Sequence, residues 1–152
     1  EHFAVLLPDD LIDGSPSGVL SQMLRAMRDQ TGSVIAVEQV AGKDVSQYGI
    51  VAPESDEGLL MRLRGVVEKP ALEEAPSNLA IVGRYILHGQ VLQTLATQGP
   101  GSGGEIQLTD ALAQEINSRG LWAYRFGGKR FDCGNKQGFL TANIHFGLKH
   151  GY

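Results

Sequence analysis

The sequence predicts an α/β fold built on a mixed central sheet. Two observations carry this expectation. Apolar, strand-like runs alternate with helical periodicities along the whole chain, as they do in α/β proteins. Between Tyr48 and Leu87 several strands follow one another with no helix between them, which a purely parallel sheet does not permit.

The elements follow in order. Phe3–Leu7 is apolar and β-prone and stops at Pro8-Asp9-Asp10, so it reads as a buried central strand entering a polar loop. Asp13-Gly14-Ser15-Pro16-Ser17-Gly18 is turn chemistry. Val19, Leu20, Met23, Leu24 and Met27 recur at helical spacing, with Gly32 as the expected stop. Ser33–Val40 is a second buried strand, and Tyr48–Val51 a short one after a loop. Leu59–Val67 alternates apolar and basic residues, as a half-buried strand does, and Pro70 ends it. Asn78–Leu87 is a further strand, Gln90–Thr97 a short helix, and Gln98–Gly104 a Gly/Pro loop. Leu108, Leu112 and Ile116 share a helical face, with Gly120 as C-cap. Leu121–Phe126 reads as a strand and Gly127–Gly134 as turns. In Lys136–His150, Leu140, Ile144 and Leu148 fall at i, i+4 and i+8, and Gly151 ends that helix.

At 152 residues the length fits one domain. The net charge of −4 argues against a general grip on nucleic acid, which needs a basic face. A single cysteine excludes an internal disulfide and a Cys-rich zinc site. No apolar run approaches the length of a membrane span, and Glu1-His2 with Pro8 does not make a signal peptide, so a cytoplasmic protein is expected. The 20 glycines, roughly twice the usual ~7%, imply many tight turns or close backbone approaches.

Three places carry candidate chemistry. Asp9, Asp10 and Asp13 follow the end of a strand, where open α/β sheets bind ligands; Asp9 or Asp10 suits Mg²⁺ or simple turn-making equally, while Asp13-Gly14 reads as a turn. Glu68-Lys69-Pro70 ends a strand with opposite charges. It reads either as a sugar-hydroxyl acceptor beside a phosphate-binding lysine, or as a surface ion pair. Asp132, in Phe131-Asp132-Cys133-Gly134, is a second metal ligand or the cap of the last helix. Gly99–Gly104 satisfies G-x-G-x-x-G only in letter, because no strand precedes it. His2, His88, His145 and His150 are scattered and make no catalytic arrangement legible in order.

Six segments together resemble the bacterial UTP–glucose-1-phosphate uridylyltransferases of the sugar nucleotidyltransferase superfamily. They are Phe3–Ile12, Asp44–Ile50, Val67-Glu-Lys-Pro70, Asn78–Ile86, Gly103–Ala111 and Arg130-Phe-Asp-Cys-Gly134, in family order over nearly the whole chain. The resemblance implies a Rossmann-like nucleotide-diphospho-sugar transferase fold. It implies Asp9 as the Mg²⁺ ligand with Asp132 at a second metal position, and Gly49, Glu68, Lys69 and Asp10 as substrate-binding residues, with Lys69 and Asp9 carrying catalysis. It implies UTP and glucose 1-phosphate as substrates, UDP-glucose as product, and a homo-oligomer that meets neither nucleic acid nor membrane.

The family's glycine-rich G-x-G-T-R loop has no counterpart in these residues. The resemblance therefore implies that residues 1–152 are the C-terminal portion of a single nucleotidyltransferase domain, lacking its N-terminal nucleotide-binding part. Alone, such a portion is expected to self-associate and to lack turnover. A non-catalytic binder of sugar phosphates or nucleotide sugars is the competing expectation. A Mg²⁺-dependent hydrolase is disfavoured, because no general base stands near the carboxylates.

Overall fold

The computed structural model describes residues 1–152 apart from the side chain of Ser102. Eight strands and four α-helices follow in the order β1 (His2–Leu6), β2 (Asp10–Gly14), α1 (Val19–Ala26), β3 (Ser33–Gln39), β4 (Gly49–Pro53), β5 (Leu60–Glu68), β6 (Leu79–His88), α2 (Gln90–Thr97), α3 (Leu108–Ser118), β7 (Leu121–Arg125), β8 (Gly128–Asp132) and α4 (Lys136–His150). Six strands form one sheet in the order β1-β6-β3-β7-β5-β4. Only β3 and β7 run parallel; the other neighbours are antiparallel, so the sheet is mixed as expected. β4 also reaches β6 where Ile50 pairs with Ala80.

The side-chain alternation of β3 explains the layers. Val34 and Ala36 point to one face and pack with Val19, Met23 and Met27 of the α1 segment. Ile35 and Val37 point to the other face and join Leu63, Leu79, Leu112 and Leu121 beneath α3. A strand covered on both sides reads as a continuous apolar run, which is why Ser33–Val40 was legible.

Three expectations are corrected, and one helix turns out to bury an unexpected face. Phe3–Leu7 is not central: β1 pairs with β6 alone and stands at the sheet edge, with Leu6 and Leu7 exposed. Asp10–Gly14 and Gly128–Asp132, read as loop and turns, pair antiparallel as a separate two-stranded ribbon. Gly32 is not the end of α1, which stops at Ala26; a Cβ at Gly32 would lie 1.9 Å from the Gly120 carbonyl oxygen, so this glycine serves a close backbone crossing. The stripe Leu140, Ile144 and Leu148 on α4 faces outward, while Ala142 is the buried residue of that helix.

Two of the three predicted helix-ending glycines hold. Gly120 follows α3 with φ of 91°, and Gly151 caps α4 in the left-handed region at φ 78°. Asn135, not Asp132, caps the start of α4 by accepting from the Gly138 N–H at 2.8 Å. Among the described residues, no helix is long and apolar enough to cross a membrane.

Candidate functional site

The fold brings Asp9, Asp10, Gly49, Glu68, Lys69 and Asp132 to one cleft of about 520 Å³, although they lie on distant parts of the sequence. Register does part of this. Gly49 opens β4 opposite Glu68, the last residue of β5, and Asp10 faces Asp132 across the ribbon. Two backbone bonds tie ribbon to sheet and to the turn after β8: Leu7 N–H to the Gly83 carbonyl at 3.0 Å, and Cys133 N–H to the Asp9 carbonyl at 2.7 Å.

The Glu68–Lys69 pair is not an ion pair. Glu68 Oε2 accepts from the Thr109 hydroxyl at 2.6 Å, and among the described residues the Lys69 ammonium has no salt-bridge partner. Lys69 is also the one non-glycine with positive φ (44°) among the described residues. Its N–H is held by the Tyr48 carbonyl at 3.0 Å, and Pro70 fixes the exit. Strain of this kind persists only where surroundings over-determine it, and it gathers at ligand sites.

Gly49 shapes the cleft by what it lacks. A Cβ there would lie 3.1 Å from Ile81 Cδ1 and 3.2 Å from Glu68 Oε2, so any larger residue intrudes on the Glu68 wall. Asp10, expected as a substrate contact, is held by the protein itself. It lines the cleft, but it is 7% exposed and both its carboxylate oxygens are taken. One accepts from Gly83 N–H at 2.7 Å and the other from Arg130 Nε. Gly83 allows this approach, since a Cβ there would lie 2.7 Å from Asp10 Oδ2. Burial works against the Arg130 charge, but Asp10 outweighs it and raises the Arg130 pKa.

Asp9 and Asp132 sit around Gly134. Asp132 Oδ1 lies 3.1 Å, and Asp9 Oδ2 3.4 Å, from the space a Gly134 Cβ would fill. Asp132 accepts from Gly134 N–H at 3.0 Å and from the Tyr48 hydroxyl at 3.1 Å, while the Asp9 carboxylate has no hydrogen bond among the described residues. Among the described residues no cluster of three or more acidic, histidine or cysteine side chains is set to hold a metal. Two carboxylates around an open cradle fit a hard cation such as Mg²⁺, which binds through one or two carboxylates and takes its other ligands from phosphates and water. No histidine lines the cleft.

Sequence reasoning missed four wall residues: Tyr48, Tyr85, Thr109 and Arg130. Burial, with the nearby charges of Asp10, Glu68 and Asp9, pushes the Tyr85 phenol up to about 12, so it stays neutral. All four lay inside segments quoted for the resemblance, but their types gave no separate signal.

A mixed sheet with a cleft of acidic and basic side chains at its strand ends defines an α/β protein with a polar ligand-binding edge. The nucleotidyl transferase family model matches residues 1–147, and the chain belongs to that family. Its relatives are specific. It is 42% identical over 153 aligned residues to a UTP--glucose-1-phosphate uridylyltransferase of Pseudomonas aeruginosa, covering 100% of this chain and 54% of that protein. It superposes on a UDP-glucose pyrophosphorylase complexed with UDP-glucose with a TM-score of 0.92 at 41% identity, over 98% of this chain and 57% of that one. A UTP-bound UGPase from Acinetobacter baumannii matches with a TM-score of 0.85 at 42% identity, over 99% and 52%. The chain spans about half the length of the relatives it matches.

Proposed function

We propose that residues 1–152 form one portion of a nucleotidyltransferase domain and supply the sugar-phosphate side of a UTP–glucose-1-phosphate uridylyltransferase. One observation carries this reading: Gly49, Glu68, Lys69, Asp9 and Asp132 converge on a single cleft. In the reaction a phosphate oxygen of glucose 1-phosphate attacks the α-phosphorus of UTP. The new P–O bond forms as the bond to the β-phosphate oxygen breaks, and pyrophosphate leaves. Such a transfer needs positioning and charge neutralisation more than covalent help.

Each residue then has a task. Gly49 leaves room for the hexose, Glu68 accepts from its hydroxyls, and Lys69 meets its phosphate as an unpaired cation. Asp9 and Asp132 would hold Mg²⁺, which when bound neutralises phosphate charge. Asp10 positions the strand β6 wall rather than the sugar. The exposed Leu6 and Leu7, beside an edge of β1 that is unpaired among the described residues, support self-association. A cytoplasmic location belongs to the same reading.

A second reading is nucleotide-sugar binding without turnover. The absence of G-x-G-T-R from these residues favours it for the 152 residues alone.

The test compares Lys69→Ala and Lys69→Gly with the intact protein. Both should weaken UDP-glucose binding about tenfold or more, the size of a lost charged hydrogen bond. Lys69→Gly should also raise stability by about 1 kcal/mol, because glycine tolerates positive φ without a Cβ clash. Unchanged affinity in titration calorimetry would refute the assignment of Lys69. Pyrophosphate release by the 152 residues alone would refute the second reading.

A further inference from the structure

We propose that Thr109 is the positioning residue for the sugar-binding carboxylate, turning Glu68 into a one-oxygen acceptor of fixed direction. The proposal rests on the sugar-side reading above and adds to it a residue on a third element. Thr109 is 8% exposed in the first turn of α3, and its hydroxyl donates to Glu68 Oε2 at 2.6 Å. A hydroxyl in a helix ordinarily bonds its own turn. This one reaches across to the end of β5 instead, 41 residues away.

The geometry closes on three elements. A Cβ at Gly49 would lie 3.2 Å from Glu68 Oε2 and 3.5 Å from Thr109 Oγ1, so β4, β5 and α3 meet at that one oxygen. A free Glu side chain has one of the larger rotamer entropies. With Oε2 held by Thr109, Oε1 is the oxygen left for a ligand hydroxyl. The carboxylate is then ordered before the sugar arrives, and binding does not spend affinity on ordering it. The hydroxyl pattern of a hexose is read by the direction of Oε1, and that direction is set by Thr109.

The experiment titrates UDP-glucose and UDP into the intact protein by calorimetry, so that the ratio of the two affinities isolates the sugar. Thr109→Val should lower UDP-glucose affinity by up to about tenfold, the cost of ordering one freed, rotamer-rich side chain on binding, and leave UDP unchanged. Thr109→Ser should restore affinity to within about threefold of the parent, since it returns the donor. In a Glu68→Ala background, Thr109→Val should cost nothing further, because the two residues act through one contact. Thr109→Ala replaces the valine variant if that one does not fold. Unchanged UDP-glucose affinity, an equal loss for UDP, or an undiminished loss in the Glu68→Ala background would each overturn the role of Thr109. If Glu68→Ala itself leaves the UDP-glucose to UDP ratio unchanged, the sugar-side reading fails, and this proposal falls with it.

Discussion

The Tyr48 hydroxyl donates to Asp132 Oδ2 at 3.1 Å, joining the residue before β4 to the last residue of β8 inside the cleft. The same residue accepts the Lys69 N–H on its carbonyl, and the Arg130 guanidinium lies 5.2 Å from its ring centroid. Burial first, with Asp132 adding to it and Arg130 opposing, raises the Tyr48 pKa, so the phenol is a neutral donor at physiological pH. Tyr48 therefore couples the proposed metal carboxylate to the backbone of the proposed phosphate-binding lysine.

Tyr48→Phe removes only that donor. Partners behind a metal ligand typically govern affinity by 10–100-fold, and a mobile Asp132 should weaken Mn²⁺ binding by about tenfold. The loss of the free Mn²⁺ paramagnetic resonance signal on titration measures this directly, without turnover. Equal Mn²⁺ affinity in the two proteins would show that Asp132 is held well enough by Gly134 and Arg130 or does not bind the ion.

The Asp10–Arg130 pair makes a different prediction, on stability. Both side chains are below a tenth exposed, and Asp10 also satisfies the buried Gly83 N–H. Breaking a buried pair costs about 3–5 kcal/mol, and here the lower end applies, because Arg130 keeps longer contacts to Glu38 at 3.4 Å and Asp132 at 3.8 Å while the Gly83 N–H loses its acceptor. Asp10→Ala should therefore lower unfolding stability by that much in urea. Asp10→Asn should lose less, because it keeps an acceptor for Gly83. A loss below about 1 kcal/mol for Asp10→Ala would mean that water replaces the pair.

The strands that were legible in the sequence are those whose burial is local to their own pattern. Val34–Val37 and Leu79–Val82 are apolar on both faces, and Arg62 and Arg64 alternate with buried Met61 and Leu63. The ribbon was not legible because β2 and β8 are short, charged and glycine-bearing, and each finds its partner more than a hundred residues away. Their pairing is carried by Asp10 with Arg130 and by the packing of Phe131, neither of which leaves a periodic trace. Periodicity found α4 but does not tell its buried face, since Leu140, Ile144 and Leu148 form a regular stripe that nothing among the described residues covers. Glu68, Lys69 and Asp9, which line the cleft, were legible because short motifs carried them. Thr109 was invisible because its importance lies in one hydrogen bond across 41 residues.

The far end of the ribbon is clamped to α4 by Asp13, and this gives a prediction about acid. Asp13 Oδ1 accepts from Lys149 Nζ at 2.5 Å, and Oδ2 lies 2.8 Å from His145 Nε2. Lys129 faces Asp13 across the ribbon, and the His145 ring packs on Phe131 with centroids 4.8 Å apart. The hydrogen bond from Lys149, then that from His145, holds the Asp13 carboxyl below its ordinary 3.8. A carboxyl depressed in the folded state adds stability above its unfolded value and loses it as pH falls through the folded one. The stability gap between the parent protein and Asp13→Asn should therefore be present at about pH 5 and close as pH falls below about 4. Urea unfolding of both proteins across that range measures the gap. The clamp is exposed, so the gap should also shrink in high salt. A gap that stays flat down to pH 2 would mean that the ribbon is tied to α4 by the packing of Phe131 with His145 and Phe146, and not by the charge of Asp13.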